Sequence, residues 1–181
     1  YFSDNGPNGS RWNGDMKGRK GSIDEGGLRS PFFIRWPKQI EACTSISQVA
    51  SGIDLLPTLT DIAGIEAKTH KPIDGRSLKP LLLKSEERWD PRLLFSIKNK
   101  QVSVRTDRFR LDANGQLFDL AADPGQRTNV ADRHPKLTDE LKDIAKRHAA
   151  RMKIYFDKNA NRPFTVGYAR STSLMARDGI E

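Results

Sequence analysis

The residues best suited to chemistry crowd into the first 30 positions of this 181-residue chain. Asp4 and Asn5, in the step Tyr1-Phe2-Ser3-Asp4-Asn5-Gly6, offer one carboxylate and one amide carbonyl. These are hard oxygens that suit Ca²⁺, or less well Mg²⁺, rather than zinc. The change from apolar to polar at this point reads as the C-terminal edge of a buried strand, where such groups can be presented together. The competing reading is a plain Asn-Gly turn. A glycine-rich loop carrying Arg11, Lys17, Arg19 and Lys20 follows, then Glu25-Gly26-Gly27-Leu28-Arg29 leads into the apolar run Pro31-Phe32-Phe33-Ile34-Arg35-Trp36-Pro37. Oxygens, then cations, then glycines suggest an anion held against a metal. An ammonium beside a divalent cation can stabilise charge developing on an oxygen. Lys17 and Lys20 each precede a glycine, so either could supply it, and a solvated surface group is the alternative for both. Glu25 and Arg29, four apart around two glycines, suggest an internal ion pair that fixes the loop.

The elements that must position these groups can be read in outline. Residues 6 to 30 hold seven glycines and form a long ordered loop, a length that in compact domains is usually functional or disordered. The run 31 to 36 between prolines predicts a short strand buried on both faces, and Ser45 to Ser51 suggests one more. Asp54 as N-cap, Pro57 in the first turn and Gly64 at the C-terminus predict a helix with Leu55, Leu56, Leu59 and Ile62 as its apolar stripe. Leu78 to Leu83 predicts a short helix after a polar loop that contains His70. Period-two runs at Leu93 to Lys98, Gln101 to Thr106, Arg108 to Asp112 and Gln116 to Leu120, separated by Lys98-Asn99-Lys100 and Asn114-Gly115, predict an antiparallel meander. Pro135 then opens a helix whose Leu137, Leu141, Ile144, Ala145, His148 and Met152 share a face that covers the meander. From Asp157 no period holds.

Composition sets the outer limits. The chain has the length of one domain with a sizeable core or of a large piece of a bigger one, and its start in mid-pattern favours the piece. No run approaches the about 18 apolar residues of a membrane span. The single cysteine, Cys43, rules out an internal disulfide and a Cys-based metal site and reads as a small buried hydrophobe. A net charge of +8 invites a polyanion, but charge alone does not choose among nucleic acid, membrane and sulfated glycan.

In order and spacing, Asp4-Asn5-Gly6, the segment KGSIDEGGLRSP from Lys20 to Pro31, IRWP from Ile34 to Pro37 and IDLLPTLTDIAG from Ile53 to Gly64 resemble the C-terminal part of a type I, formylglycine-dependent sulfatase of the alkaline phosphatase superfamily. The segment Asp119 to Ala131 resembles the same family's terminal sheet region, so the likeness covers about residues 1 to 156. The resemblance implies an α/β fold: residues 1–92 as the end of the sulfatase domain, 93–156 as a small subdomain of four antiparallel strands with a packing helix, and 157–181 as a linker or the start of another domain. It implies that Asp4 and Asn5 are half of a divalent-cation site, normally calcium, and that the active-site lysine is Lys20, five residues before the Glu of Glu-Gly-Gly. Lys17 is then left as a solvated group. Arg11 and Trp12 in the loop could grip a sulfated sugar, and His70 could border the pocket.

The formylglycine nucleophile comes from a Cys/Ser-x-Pro-x-Arg motif that does not occur here and belongs upstream, so this piece alone is expected to be inactive. The expected whole is a hydrolase of aryl or carbohydrate sulfates, located in the periplasm or outside the cell. Its expected partners are a sulfated small molecule or glycan and the N-terminal part of its own domain, not nucleic acid. A phosphonate or phosphodiester hydrolase on the same scaffold, and a non-catalytic polyanion-binding module, are the alternatives.

Overall fold

The computed structural model describes residues 1–9, 12–84 and 89–159. In chain order the elements are α1 (Glu25–Leu28), α2 (Leu55–Ala63), α3 (Lys79–Leu83), β1 (Leu94–Lys98), β2 (Gln101–Arg105), β3 (Phe109–Leu111), β4 (Leu117–Asp119) and α4 (Pro135–Asn159), with 3₁₀ turns at Gly52–Asp54 and Ala131–Arg133. The four strands form one antiparallel sheet in sequence order, as the alternating runs predicted, within a mixed α/β architecture. The β1–β2 connection is the two-residue Asn99-Lys100 turn with both φ angles positive, 49° and 67°. This left-handed pair matches the right-handed twist of the flanking strands.

Alternation along the strands gives the sheet two different faces. On one, Val104, Leu111 and Leu117 lie side by side across β2, β3 and β4 and are almost fully buried. Together with Val102 and Val130 they pack against Leu141 of α4, and Phe95, Ile97, Phe109, Leu137, Ile144, Ala145 and Ala149 close the edges. Each such fully buried aliphatic side chain contributes about 1.5–3 kcal/mol. His148 belongs to this cover, its ring stacked on Phe95 with centroids 3.9 Å apart. Of the predicted helix face, Leu137, Leu141, Ile144, Ala145 and His148 therefore do cover the meander. The helix continues to Asn159, so residues 157–159 are helical rather than the start of a tail, and the remainder of that expected tail lies outside the described residues.

On the other face Arg105, Arg110 and Phe118 lie abreast, with Ser103 and Ser96 beside them. This face is covered not by α4 but by the glycine-rich loop, including its short helix α1. Two arginines directly opposite each other on adjacent strands repel, and the loop supplies the carboxylate that offsets this, as described below.

Upstream of the sheet, α2 ends at Gly64 in the left-handed conformation, as its sequence predicted. Its buried residue is Thr58, whereas Leu56 and Leu59 of the expected apolar stripe face outward at 49% and 63% exposure. What holds α2 is polar. The Thr58 hydroxyl accepts from Leu78 N–H at 2.8 Å, and Asp54, completely buried, accepts from Ser51 N–H, Arg76 N–H and Arg92 Nη1 at 2.8, 2.9 and 2.8 Å.

Several apolar expectations are corrected here. The run 31–36 is not a doubly buried strand: it makes one bridge, Phe2 to Phe32, and Phe33 is 66% exposed. Tyr1 and Phe2 are exposed as well, residues 45–51 form no strand, and Cys43 is exposed. The aromatic side chains meet mainly one another, Tyr1 stacking on Phe33 with ring centroids 6.2 Å apart and Phe2 meeting Phe32 edge-on at 6.5 Å. Among the described residues no helix is long and apolar enough to cross a membrane.

Candidate active-site loop

The loop from Gly6 to Ser30 is wound back on itself by backbone hydrogen bonds that short glycine contacts make possible. Gly6 N–H donates to Gly27 O at 2.9 Å, Lys20 N–H to Pro7 O at 2.8 Å, and Gly26 N–H to Lys17 O at 2.8 Å. A Cβ on Gly6 would sit 2.0 Å from Gly26 O, and one on Gly26 would sit 2.6–2.8 Å from three carbonyl oxygens of residues 16–18. Only glycine permits that approach. The Asn13 amide donates to the carbonyls of Met16 and Gly18 at 2.6 and 3.0 Å and pins the intervening turn. Segments 1–3 and 31–33 pair antiparallel at the mouth of the loop, with Phe33 N–H to Tyr1 O at 2.8 Å. Asp4-Asn5-Gly6 is thereby laid beside Gly26-Gly27, and the backbone of Lys20 is tied to the residue that follows Gly6.

The three residues singled out for chemistry share one property. Among the described residues, no side-chain hydrogen bond or ion pair engages Asp4, the Asn5 amide or Lys20, and Asp4 and Lys20 are exposed. Asp4 lines an open cleft of about 740 Å³ together with Phe2, Arg29, Phe32, Arg105 and residues 45–52. A carboxylate and an amide oxygen without protein partners fit a hard cation by donor chemistry. They are two of the six to eight oxygens Ca²⁺ takes, and among the described residues no group of three or more His, Cys, Asp or Glu side chains gathers to complete a site. Trp12 is 81% exposed and His70 is exposed on the polar loop, and neither they nor Lys20 line the cleft. Arg11 lies outside the described residues.

Two expectations for this loop are overturned. Glu25 does not pair with Arg29. Its carboxylate accepts from Arg110 Nε and Nη2 at 3.1 and 2.8 Å and lies 3.7 Å from Arg105 Nε, and the residue is 5% exposed. The Arg29 contribution is a backbone bond, its N–H donating to Glu25 O. Arg110 also donates to Ser103 Oγ at 2.9 Å. Burial pulls the Arg105 guanidinium below the ordinary arginine value, an effect that Glu25 opposes. Nor is Lys17 a free surface group: its side chain is 36% exposed, but its ammonium lies 3.1 Å from Asp112 Oδ2, 3.5 Å from Asp24, and 4.9 Å from the centre of the Phe118 ring.

Sequence reasoning missed Arg105, Arg110, Asp112 and Gln126 as parts of this site. The available signal was Arg110 and Asp112 alternating with Phe109 and Leu111, which marks a strand with a charged face to satisfy.

The family described as N-sulphoglucosamine sulphohydrolase, C-terminal, matches residues 19–153 of this chain. Mouse steryl-sulfatase is 30% identical over 87% of this chain, and the match covers 32% of that enzyme. The N-acetylglucosamine-6-O-sulfatase of Bacteroides thetaiotaomicron is 27% identical over 81% of this chain and 29% of its own length. The crystal structure of Ps i-CgsB in complex with k-i-k-neocarrahexaose superposes with a TM-score of 0.70 and 26% identity, over 82% of this chain and 35% of that one. The chain thus spans about a third of the length of these relatives. A family match over most of the chain, motifs in their family order and a shared backbone arrangement agree: this chain belongs to the sulfatase family and corresponds to its C-terminal portion.

Proposed function

We propose that the chain supplies the C-terminal part of the active site in an enzyme that hydrolyses sulfate esters of aryl or carbohydrate alcohols, with Lys20 as a catalytic cation and Asp4 and Asn5 as two ligands of a calcium ion. The observation that carries this is the pairing of anchored backbone with free side chains. Asp4, Asn5 and Lys20 sit on a loop fixed by glycine contacts, yet their polar groups have no partner among the described residues. Groups held in place and left unpaired are arranged for a ligand.

In this reading the Lys20 ammonium donates to a sulfuryl oxygen or to the departing alcohol oxygen, where negative charge grows as the S–O bond breaks. Bound calcium would neutralise sulfate oxygens, and a formylglycine from the upstream part of the protein would be the nucleophile. Arg29 and Arg105, which line the cleft with Asp4, would favour an anionic substrate approaching from that side. Trp12 and Arg11 would grip the organic part of the ester, and His70 is a more remote candidate for the pocket edge. The exposed Tyr1, Phe33, Leu56 and Leu59 support a further partner, the upstream part of the same protein, laid over them. The relatives, a steryl-sulfatase and an N-acetylglucosamine-6-O-sulfatase, differ in the alcohol named, so both ester classes belong in the assay. Family resemblance supports the periplasm or the cell exterior as the site of action.

The test is Lys20→Ala in the full-length protein, assayed on an aryl sulfate and on N-acetylglucosamine 6-sulfate. Loss of a preorganised donor predicts a fall in kcat of about 10²-fold or more, with a smaller change in KM. A change confined to KM that fades with added salt would instead mean that the loop is a general anion-attracting surface.

A further inference from the structure

Arg110 lies on the inner strand β3 and Asp112 just past its end, and the two project from the face opposite Leu111, which lies under α4. Their partners bracket Lys20 in sequence. Arg110 holds Glu25, five residues after it, and Asp112 holds Lys17, three residues before it. The bracket is closed by Gly26 N–H donating to Lys17 O at 2.8 Å. It is fastened at two further points: Gln126 Oε1 accepts from Glu25 N–H at 2.7 Å, and Lys98 Nζ donates to Gly21 O. Water competes little at the Glu25–Arg110 grip, where both side chains are buried, and at the Asp112 grip the carboxylate is buried while the Lys17 side chain is 36% exposed. The side chain of Lys20, inside the bracket, is left without a partner among the described residues.

We propose that Lys17 and Asp112 are positioning residues for Lys20: their ion pair clamps the upstream end of its segment to the sheet and fixes where its ammonium is delivered. The proposal rests on Lys20 being the catalytic cation. Displacing a reacting group by about 1 Å can cost up to 10²-fold in rate, so partial loosening by loss of one clamp should cost about tenfold. Asp112 allows the clamp to be separated from folding, because its two oxygens have different tasks. Oδ1 accepts from Asn114 N–H and Gln116 N–H, both at 2.9 Å, and shapes the β3–β4 turn, while Oδ2 takes the Lys17 ammonium. Asp112→Asn can keep the first and loses the second. Lys17→Met keeps the aliphatic stem against Phe118, and Lys17→Arg keeps the charge.

The experiment is a double-mutant cycle on the full-length protein with an aryl sulfate as substrate, joined to amide hydrogen exchange of residues 19–22. Lys17→Met and Asp112→Asn should each lower kcat about tenfold with KM changed less than twofold, speed exchange in 19–22, and have no further effect on kcat in a Lys20→Ala background. Lys17→Arg should recover most of the loss. If Lys20→Ala itself leaves kcat intact, the catalytic reading of Lys20 fails and the clamp has nothing to position. If Lys20→Ala is damaging but Lys17→Met lowers kcat by the same factor in both backgrounds, or leaves kcat and exchange unchanged, the positioning proposal is overturned while Lys20 stands.

Discussion

Replacing Glu25 by Gln should destabilise the sheet more than removing either arginine that faces it. Arg105 and Arg110 are directly paired across β2 and β3, and the Glu25 carboxylate lies between them, 2.8 Å from Arg110 Nη2 and 3.7 Å from Arg105 Nε. At an effective dielectric near 20, a unit charge pair about 4 Å apart is worth about 4 kcal/mol before desolvation is subtracted. Glu25→Gln removes both attractions and leaves the repulsion between two arginines whose side chains are 13% and 5% exposed. The loss expected for stripping the partner from such a buried charge is about 3–5 kcal/mol. Arg110→Met removes one attraction and the hydrogen bond to buried Ser103 Oγ, but also the repulsion, and the carboxylate keeps Arg105, so its cost should be smaller by about 1 kcal/mol on the same reasoning. Hydrogen exchange of the β2 and β3 amides in the full-length protein reads the local opening free energy directly. An Arg110→Met loss equal to or larger than that of Glu25→Gln would refute the argument, as would a loss below about 1 kcal/mol in Glu25→Gln, a size ordinary for exposed pairs.

Asp54→Ala should also be severe, at about 3–5 kcal/mol, because it strands the Arg92 guanidinium, 8% exposed, and two backbone N–H groups; a thermal midpoint close to that of the parent would contradict it. His148 has its pKa lowered by burial and then by Arg151, so the unfolded chain takes up a proton before the folded one does. Stability should therefore be flat above about pH 7 and fall as pH drops through the ordinary histidine value near 6.5, and His148→Phe should abolish that slope in urea midpoints measured between pH 5 and 8.

What was legible in the sequence is what local chemistry determines. The Asn99-Lys100 turn, Pro135 at the head of α4 and Gly64 at the end of α2 are decided by a few adjacent residues, and the structure places each element there. The apolar face of the meander followed from period-two alternation, since Val102, Val104 and Leu111 all carry it. Apolar runs misled where they indicated a need for cover without indicating its source. Phe33, Leu56 and Leu59 read as interior but remain 66%, 49% and 63% exposed, and the rings that Phe32 and Phe33 meet, Phe2 and Tyr1, are exposed themselves. The Glu25–Arg29 expectation failed for a related reason. Spacing four apart is what a helix exploits, and residues 25–28 do form the helical turn α1 with Arg29 N–H on Glu25 O, but the Glu25 carboxylate points into the sheet, toward a partner 85 residues away that spacing along the chain does not reveal.

The sheet then explains why the chemistry-bearing loop can be so rich in glycine and still be ordered. Seven glycines between residues 6 and 30 raise the entropic cost of holding any one conformation, and the segment buries few apolar side chains to offset that cost. The compensation is ionic and hydrogen-bonded, and it comes from the sheet and its adjoining turns, some 80 to 101 residues further along the chain: Arg110 and Arg105 on Glu25, Asp112 on Lys17, Gln126 on the Glu25 amide. A loop fastened by its backbone and by residues on either side of Lys20 leaves that lysine, Asp4 and Asn5 unspent. The terminal sheet is therefore more than a packing appendage: its apolar face makes it a stable body under α4, and its charged face shapes the loop that carries the candidate chemistry.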